Sequence, residues 1–481
     1  MEIRPFSPGA LSGPAGLPPS PPAEACSVRD VVEMAGPSAR AAVTPRPVNV
    51  NPGSQGMAAA LVLLGPAAMA SALLPTPEKP AKTPGKWDRE KVPGAWYVPK
   101  NPSRIPVQPR YAFEVAPGTD DVGPVQVVPS LAGRLRALRL HWPDEVEEPA
   151  FSAQRTTFHD LFTRFPSDVT FHVVTEGQSA ARLQALVEAW GVADPTRIHY
   201  HPLHLHSTVE QWYEPVTMWA RDTALLMRTH DGRPLLLLPR SFRKDGQVDA
   251  SLNRRIIHGA AAAPALLQER LGLLVRRSEL NFEGGDVVPS RQTVLVGGHL
   301  VQRNMRDLKL GKAAVVERLQ EQLGRPVVVI EPQPAFHLDV GFTWLSEGVV
   351  AVADPRLAAA MVRGLKPTGL DLDTMLKADP ALADRYDKGA ATLLGAGFQV
   401  VRMPNLPGLA LLTPYLTYNN VLMEDKRVYM PVYDLPVLDE FARSIYRNHG
   451  FQVVDMPSAR HSTRLWGSVR CASGELQVDE G

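Results

Sequence analysis

Cysteine is nearly absent from this chain. Of 481 residues only Cys26 and Cys471 are cysteines, one near each end. That excludes a disulfide framework and a zinc ribbon, so each thiol needs its own explanation. No sign of charge dominates either, with 51 Lys plus Arg against 50 Asp plus Glu. Nothing in that balance points to nucleic acid or to an anionic membrane surface as a partner. Beyond residue 87 no apolar run is long enough to span a bilayer. What is present is 44% hydrophobic and 21% charged residues, the composition of a globular protein with a sizeable core.

Proline is abundant but uneven: 24 of the 46 prolines fall within the first 130 residues. A run such as "PFSPGALSGPAGLPPSPPAEAC" supports neither helix nor sheet, because proline fixes φ and lacks a donor. Residues 1–85 therefore read as a Pro-rich disordered leader that includes Cys26. Within it, Met57 to Leu74 form an uncharged apolar segment of 18 residues, broken at Gly65-Pro66. It would be an export signal if translation began at Met57. A cytoplasmic location is the expectation otherwise.

After about residue 105 a period appears. Its clearest copy lies near the end. Two strands, Leu416–Met423 and Arg427–Pro431, flank a turn at Glu424-Asp425. A helix from Leu435 to about Asn448 puts Leu438, Phe441, Ala442, Ile445 and Tyr446 on one face. Gly450 ends it and the strand "FQVVDMP" follows. "FTWLSEGVVAVADP", "ATLLGAG" and "FQVVRMP" repeat that order. So do "TVLVGG", "KAAVVERLQEQLG" and "RPVVVIEP", and also "TALLMRTHDGRPLLLLP", "APALLQERLG" and "LLVRR". "VTFHVV", "SAARLQALVEAWG" and "RIHYHP" form the earliest copy. The expected fold is α/β, five ββαβ units related by pseudosymmetry as the blades of a propeller, over residues 105–481.

The polar clusters keep phase with this period. "MWARD" (Trp219, Arg221, Asp222), "NFEGGD" (Glu283, Asp286), "FHLD" (His337, Asp339) and "RLWGSVRCAS" (Arg470, Cys471) each stand where one unit hands over to the next. Units closing about an axis would bring these junctions together at its centre. The convergent set is one thiol, one imidazole and four carboxylates. Carboxylates gathered in a core need a cation, either a metal or a planar guanidinium gripped by paired charge-assisted bonds. Cysteine and histidine would supply nucleophile and proton carrier. Gly284 and Gly285 would let the backbone pass close by while both acids of their turn point inward.

Together "WARD", "NFEGGDVV", "FHLDVGFTWL" and "VRCAS" resemble the guanidino-group-modifying enzymes of the pentein fold, such as arginine deiminase and peptidylarginine deiminase. The resemblance covers about residues 105–481. It implies a hydrolase (deiminase) that converts a guanidino group to a ureido group and ammonia, with no metal and no cofactor. Cys471 would form a covalent amidino intermediate and His337 would move protons. Asp222 and Asp339 would hold the guanidinium, Glu283 would orient it, and Asp286 would support it from the turn. Arg221, Arg470 and Trp219 would add substrate contacts, with Arg464 and Arg303 as further candidates for a substrate carboxylate. The implied partner is a small guanidino compound or a peptidyl-arginine. Two other readings stand beside it: an amidinotransferase using the same cysteine with an amine acceptor, and a non-catalytic guanidinium-binding protein. The histidines of "HYHPLHLH" (His199, His201, His204, His206) read as solvated or rim residues, with Pro202 interrupting their strand.

Overall fold

Five small β-sheets built on one plan carry the described residues of the computed structural model. The structure describes residues 122–131, 133–143, 146, 154–176, 179–203, 217–240, 263–264, 266–365, 370–377, 379–408, 414–465 and 467–479. The leader, its apolar segment 57–74 and Cys26 lie outside them, as do His204, His206, Trp466 and the Arg464 side chain. Among the described residues no helix is long and apolar enough to cross a membrane.

Each sheet contains an antiparallel pair whose second strand runs parallel to a third. In the second sheet these are Leu225–Thr229, Pro234–Leu238 and Leu274–Arg277, with Val125–Val127 added at the edge. The third uses Val287–Pro289, Val294–Gly297 and Val327–Ile330. The fourth uses Phe342–Ser346, Val349–Asp354 and Gln399–Leu406, and Leu416–Thr417 pairs with the last of these. The fifth is Leu422–Glu424, Arg427–Pro431 and Gln452–Met456. The first sheet obeys the same rule across the whole chain. Its antiparallel partner for Arg134–Trp142 is the C-terminal strand Ser473–Asp479, and Thr170–Glu176 and Ile198–Leu203 follow in parallel.

Three local expectations change. The continuous strand expected over residues 416–423 is divided: Leu416–Thr417 joins the fourth sheet and Leu422–Glu424 the fifth. Side-chain and backbone bonds hold the intervening residues in the gap, with Thr343 Oγ1 donating to the Asn419 carbonyl (2.5 Å) and Asn419 Nδ2 to that of Ala351 (3.1 Å). Pro202 does not interrupt its strand, which runs Ile198–Leu203 at the edge of the first sheet. An edge strand tolerates a missing donor. The first sheet also holds two strands that the repeat pattern left out, Arg134–Trp142 and Ser473–Asp479.

The apolar residues pack between sheets that follow one another. Leu235, Leu237, Val294 and Val296 unite the second and third, and Leu295, Ile330, Phe342 and Val352 the third and fourth. Ala351, Met403, Val428 and Met430 join the fourth to the fifth. A further cluster ties the first sheet to both the second and the fifth, through Leu138, Leu140, Leu226, Leu236, Leu422 and Tyr429. Each such side chain, withdrawn fully from water, contributes about 1.5–3 kcal/mol. The helix Pro436–Asn448 shows how the outer layer is fastened. Proline opens it, and buried Asp439 accepts from the Tyr433 and Leu435 amides (both 3.0 Å) and from the Tyr418 hydroxyl (2.7 Å).

Candidate active site

The first strand of every sheet is entered from a short turn, and the chemistry sits on those turns. Asp222 precedes Leu225–Thr229, Asp286 precedes Val287–Pro289, and Asp339 precedes Phe342–Ser346. Cys471 precedes Ser473–Asp479. Three of these turns are single 3-10 turns, Ala220–Thr223, Gly284–Asp286 and Leu338–Val340. A tight turn immediately before a strand points its polar side chains off the sheet end, while the strand residues beyond it remain in the core.

The turns touch at glycine. A Cβ on Gly284 would stand 2.1 Å from the Arg221 carbonyl oxygen, and one on Gly285 would stand 2.6 Å from His337 Nδ1. The two glycines therefore let neighbouring turns close upon each other. Replacing Gly285 by alanine is expected to displace His337, costing about 1–3 kcal/mol of stability by overpacking and lowering turnover. Melting temperature and kcat measure both effects; unchanged values would separate this turn from the imidazole.

Burial is graded across the set. The side chains of Glu283, Asp222 and His337 are 30%, 18% and 11% exposed, and Asp339 only 1%. Cys471 is 2% exposed. The thiol thus lies at the closed end of the group and Glu283 at its open end. Donor atoms of Cys471, His337 and Asp339 all fall within 4.8 Å of one another, the one such group among the described residues. An ion could be received at that spacing, and so could the planar cation of a guanidino group.

His337 Nε2 is hydrogen-bonded to Glu283 Oε2 at 2.8 Å, and Nδ1 lies 3.8 Å from Asp222 Oδ1. Glu283 was expected to orient the substrate directly; here it grips the imidazole, with Arg303 Nη1 3.6 Å from its other oxygen. Burial opposes a charge on His337, but Asp222, Cys471 and Glu283 outweigh it and raise its pKa well above the ordinary imidazole value. The neighbouring acids therefore favour the imidazolium form of the ring. Burial raises Asp222. Glu283 is lowered: burial opposes this, but the His337 hydrogen bond and Arg303 prevail. Burial first, then the charge of Asp339, pushes the Cys471 thiol up to about 11, against the pull of His337.

Asp339 is buried, and neither of its oxygens accepts a well-aligned hydrogen bond from a described residue. Arg470 Nε stands 3.3 Å away as an ion pair. Burial raises the Asp339 pKa, and Arg470, His337, Arg221 and a side-chain hydrogen bond from Asn420 pull it back. A buried carboxylate with open acceptor positions is expensive unless a cation completes it.

The remaining predicted contacts are engaged elsewhere. Arg221 forks onto Glu475, with Nη2 2.7 Å from Oε1 and Nη1 bound to Oε2. Asp286 is buried, held by Gln333 Nε2 at 2.7 Å, and burial pushes it up to about 6. Trp219 packs with Met218, Leu465 and Cys471, and its ring covers Gly467, where a Cβ would meet it at 2.1 Å. Arg221, Asp286 and Trp219, expected as substrate contacts, each have a protein partner here, as Arg470 does in Asp339. His199 and His201 lie apart from the site: His201 shares a hydrogen bond with His172 (3.0 Å), and His199 stacks on the same ring.

Two residues were not anticipated. Asn420 Nδ2 donates to Cys471 Sγ and the Cys471 amide donates to Asn420 Oδ1, each at 3.2 Å. Asn420 occupies the junction ahead of Leu422–Glu424, the one junction to which the sequence pattern assigned nothing. Paired asparagines inside the apolar run "LTYNNVLM" were the available signal. Glu475, on the C-terminal strand, is the other.

This fold and this constellation of thiol, imidazole and carboxylates place the chain in the pentein superfamily of guanidino-modifying enzymes. Residues 132–476 match the family model described as Porphyromonas-type peptidyl-arginine deiminase, and the chain belongs to that family. Among solved structures, C. jejuni agmatine deiminase is similar at a TM-score of 0.53 and 16% identity, with 73% of this chain and 96% of that one covered. A Cys-to-Ser variant of it with substrate bound gives 0.55 and 15%, with 74% and 97% covered. Agmatine deiminase of Enterococcus faecalis gives 0.52 and 13%, with 76% and 100% covered. At these identities the likeness is one of fold. Comparison with curated protein sequences gave no match.

Proposed function

We propose that this protein is a deiminase that hydrolyses the guanidino group of arginine, a peptidyl-arginine or an arginine derivative to a ureido group, releasing ammonia. The observation that carries this reading is Asp339: a buried carboxylate with open acceptor positions, grouped with the Cys471 thiol and the His337 imidazole. A guanidinium held between Asp222 and Asp339 would complete both carboxylates and present its carbon to Cys471 Sγ. In the same reading the five sheets are blades of one propeller, and their entry turns meet at its axis. The shared cores between successive sheets support that arrangement.

The chemistry balances with these groups alone. The arriving cation favours the thiolate, and the thiol proton leaves to solvent. Sγ bonds to the guanidinium carbon, one C–N bond breaks, and His337 gives its proton to the departing ammonia. Water then adds to the amidino carbon and loses a proton to His337. The C–S bond breaks, the remaining hydroxyl proton passes to the departing sulfur, and the ureido product and the thiol are restored. Asn420 would keep Sγ in line through both steps.

Because the resting thiol is pushed up to about 11, a neutral reagent meets little thiolate at neutral pH. A haloacetamidine, which is cationic, is expected to alkylate Cys471 about ten- to a hundred-fold faster than the isosteric haloacetamide, the value of one charge-assisted bond. Equal rates at neutral pH would count against a cation site beside the thiol. The function itself is tested with a panel of arginine, agmatine, methylated arginines and arginine peptides, scored for ureido product and ammonia. Product that appears only with an added amine would identify an amidinotransferase. Binding of guanidino ligands without any product would identify a binding protein.

A further inference from the structure

Behind the reacting groups lies a second layer of charge that the proposed reaction does not use. Three buried guanidinium groups, those of Arg139, Arg221 and Arg470, face two carboxylates, Glu475 and Asp339. Arg221 is bound bidentately by Glu475, and Arg470 lies between the two acids, 3.3 Å from Asp339 and 3.9 Å from Glu475. The side chains of Arg221, Arg470 and Glu475 are 4%, 7% and 15% exposed, so solvent screens them little. The layer is fastened to the thiol as well. The Arg221 amide donates to the Cys471 carbonyl at 3.2 Å. Arg139 Nη2 donates to the Ala220 carbonyl at 2.6 Å, bracing the turn that carries Arg221 and Asp222.

We propose that Glu475 is a positioning residue that holds Arg221 by its fork and draws on one nitrogen of Arg470, so that Asp339, paired with Arg470 at Oδ2 alone, keeps its other oxygen for the substrate cation. The argument is one of competition. Asp339 is the acceptor that a guanidinium substrate needs; Arg470 stands 3.3 Å from its Oδ2, and its charge acts on Arg221 as well. Glu475 binds both terminal nitrogens of Arg221 and draws on one nitrogen of Arg470. Without that anion both arginines are left to the attraction of Asp339, whose charge already acts on each. The site would then be closed by its own cations.

The same displacement of charge acts on the thiol in the opposite sense. Cys471 is faced by Asp222, Asp339, Glu283 through His337, His337 itself, Arg221 and Arg470, with Arg139 behind them. Removing the Glu475 charge makes the field at Sγ more positive and favours thiolate. Substrate binding should therefore weaken while the thiol becomes easier to ionise. General loss of packing around the site would instead impair both.

The test uses the full chain with Glu475→Gln, Glu475→Asp and Arg221→Gln. Neutral iodoacetamide reads the pH profile of Cys471 alkylation and needs no substrate. Calorimetric titration of arginine or agmatine into the same variants carrying Cys471→Ala reads cation binding. For Glu475→Gln the alkylation profile is expected to move to lower pH by about one unit, while ligand affinity falls about ten-fold. Glu475→Asp should restore much of both. Arg221→Gln removes a positive charge at the same place and must move the alkylation profile to higher pH, which gives a second reading should Glu475→Gln not fold. Unmoved profiles, or shifts of the same sign in the glutamate and arginine variants, would overturn the proposal. So would a common loss of affinity, alkylation and thermal stability that the aspartate variant does not rescue. The proposal rests on the deiminase reading only in its binding arm. If the parent chain binds no guanidino ligand, that reading fails, and the alkylation arm still decides the role of Glu475.

Discussion

A Cys471→Ser chain is expected to bind guanidino ligands and yield no ureido product above background, a loss on the order of 10⁴-fold or more in turnover. Serine keeps the size of the side chain and accepts the Asn420 amide that now reaches Sγ at 3.2 Å. The fold should therefore persist, which circular dichroism and a melting curve will show. What serine lacks is the polarizable, ionisable sulfur. The pocket contains buried carboxylates at Asp339 and Asp222, which disfavour an anion on the nucleophile. A thiol reaches the anionic form there only with the help of the substrate cation and His337, and a hydroxyl, far less acidic, does not. The other cysteine, Cys26, lies in the proline-rich leader. Ureido formation within ten-fold of the parent rate would remove the covalent mechanism.

His337→Ala is expected to lower kcat by ~10²–10⁴, the usual worth of a positioned acid and base, while guanidinium binding changes little. The imidazole is held by Glu283 on one side, which leaves Nδ1, the atom 3.8 Å from Asp222, for proton traffic. Its removal deletes a positive charge beside two acids, so affinity for a cationic ligand should hold or improve. The sign for the thiol is opposite. His337 lowers the Cys471 pKa, so its loss moves the alkylation profile to higher pH. A variant that loses affinity and turnover together, with an unmoved alkylation profile, would make His337 a packing residue.

The period was readable from local pattern, and so was most of the site. Alternating strands, an amphipathic helix and a third strand recur at a spacing that any neighbouring stretch of chain can express. The junction residues Asp222, Glu283, His337, Asp339 and Cys471 were legible because they break the apolar rhythm at one phase of it. Asn420 was missed at that same phase. Read in sequence, Leu416–Met423 satisfies one continuous strand, and only the division of its two ends between different sheets exposes the junction.

By itself, then, the sequence determined the repeat, the family it resembles and which polar residues gather at the junctions, since these depend on residue type and local spacing. The partners of the charged groups were decided by tertiary structure. Glu283 bonds to His337 across 54 residues, and Arg221 to Glu475 across 254. The second pair exists because the C-terminal strand Ser473–Asp479 lies beside Arg134–Trp142, closing the first sheet with the last strand. A carboxylate in a sequence can serve a substrate, a catalytic base or a neighbouring arginine equally well. Which it serves depends on distance and burial, because desolvated charges bind whichever partner the fold brings within a few ångströms.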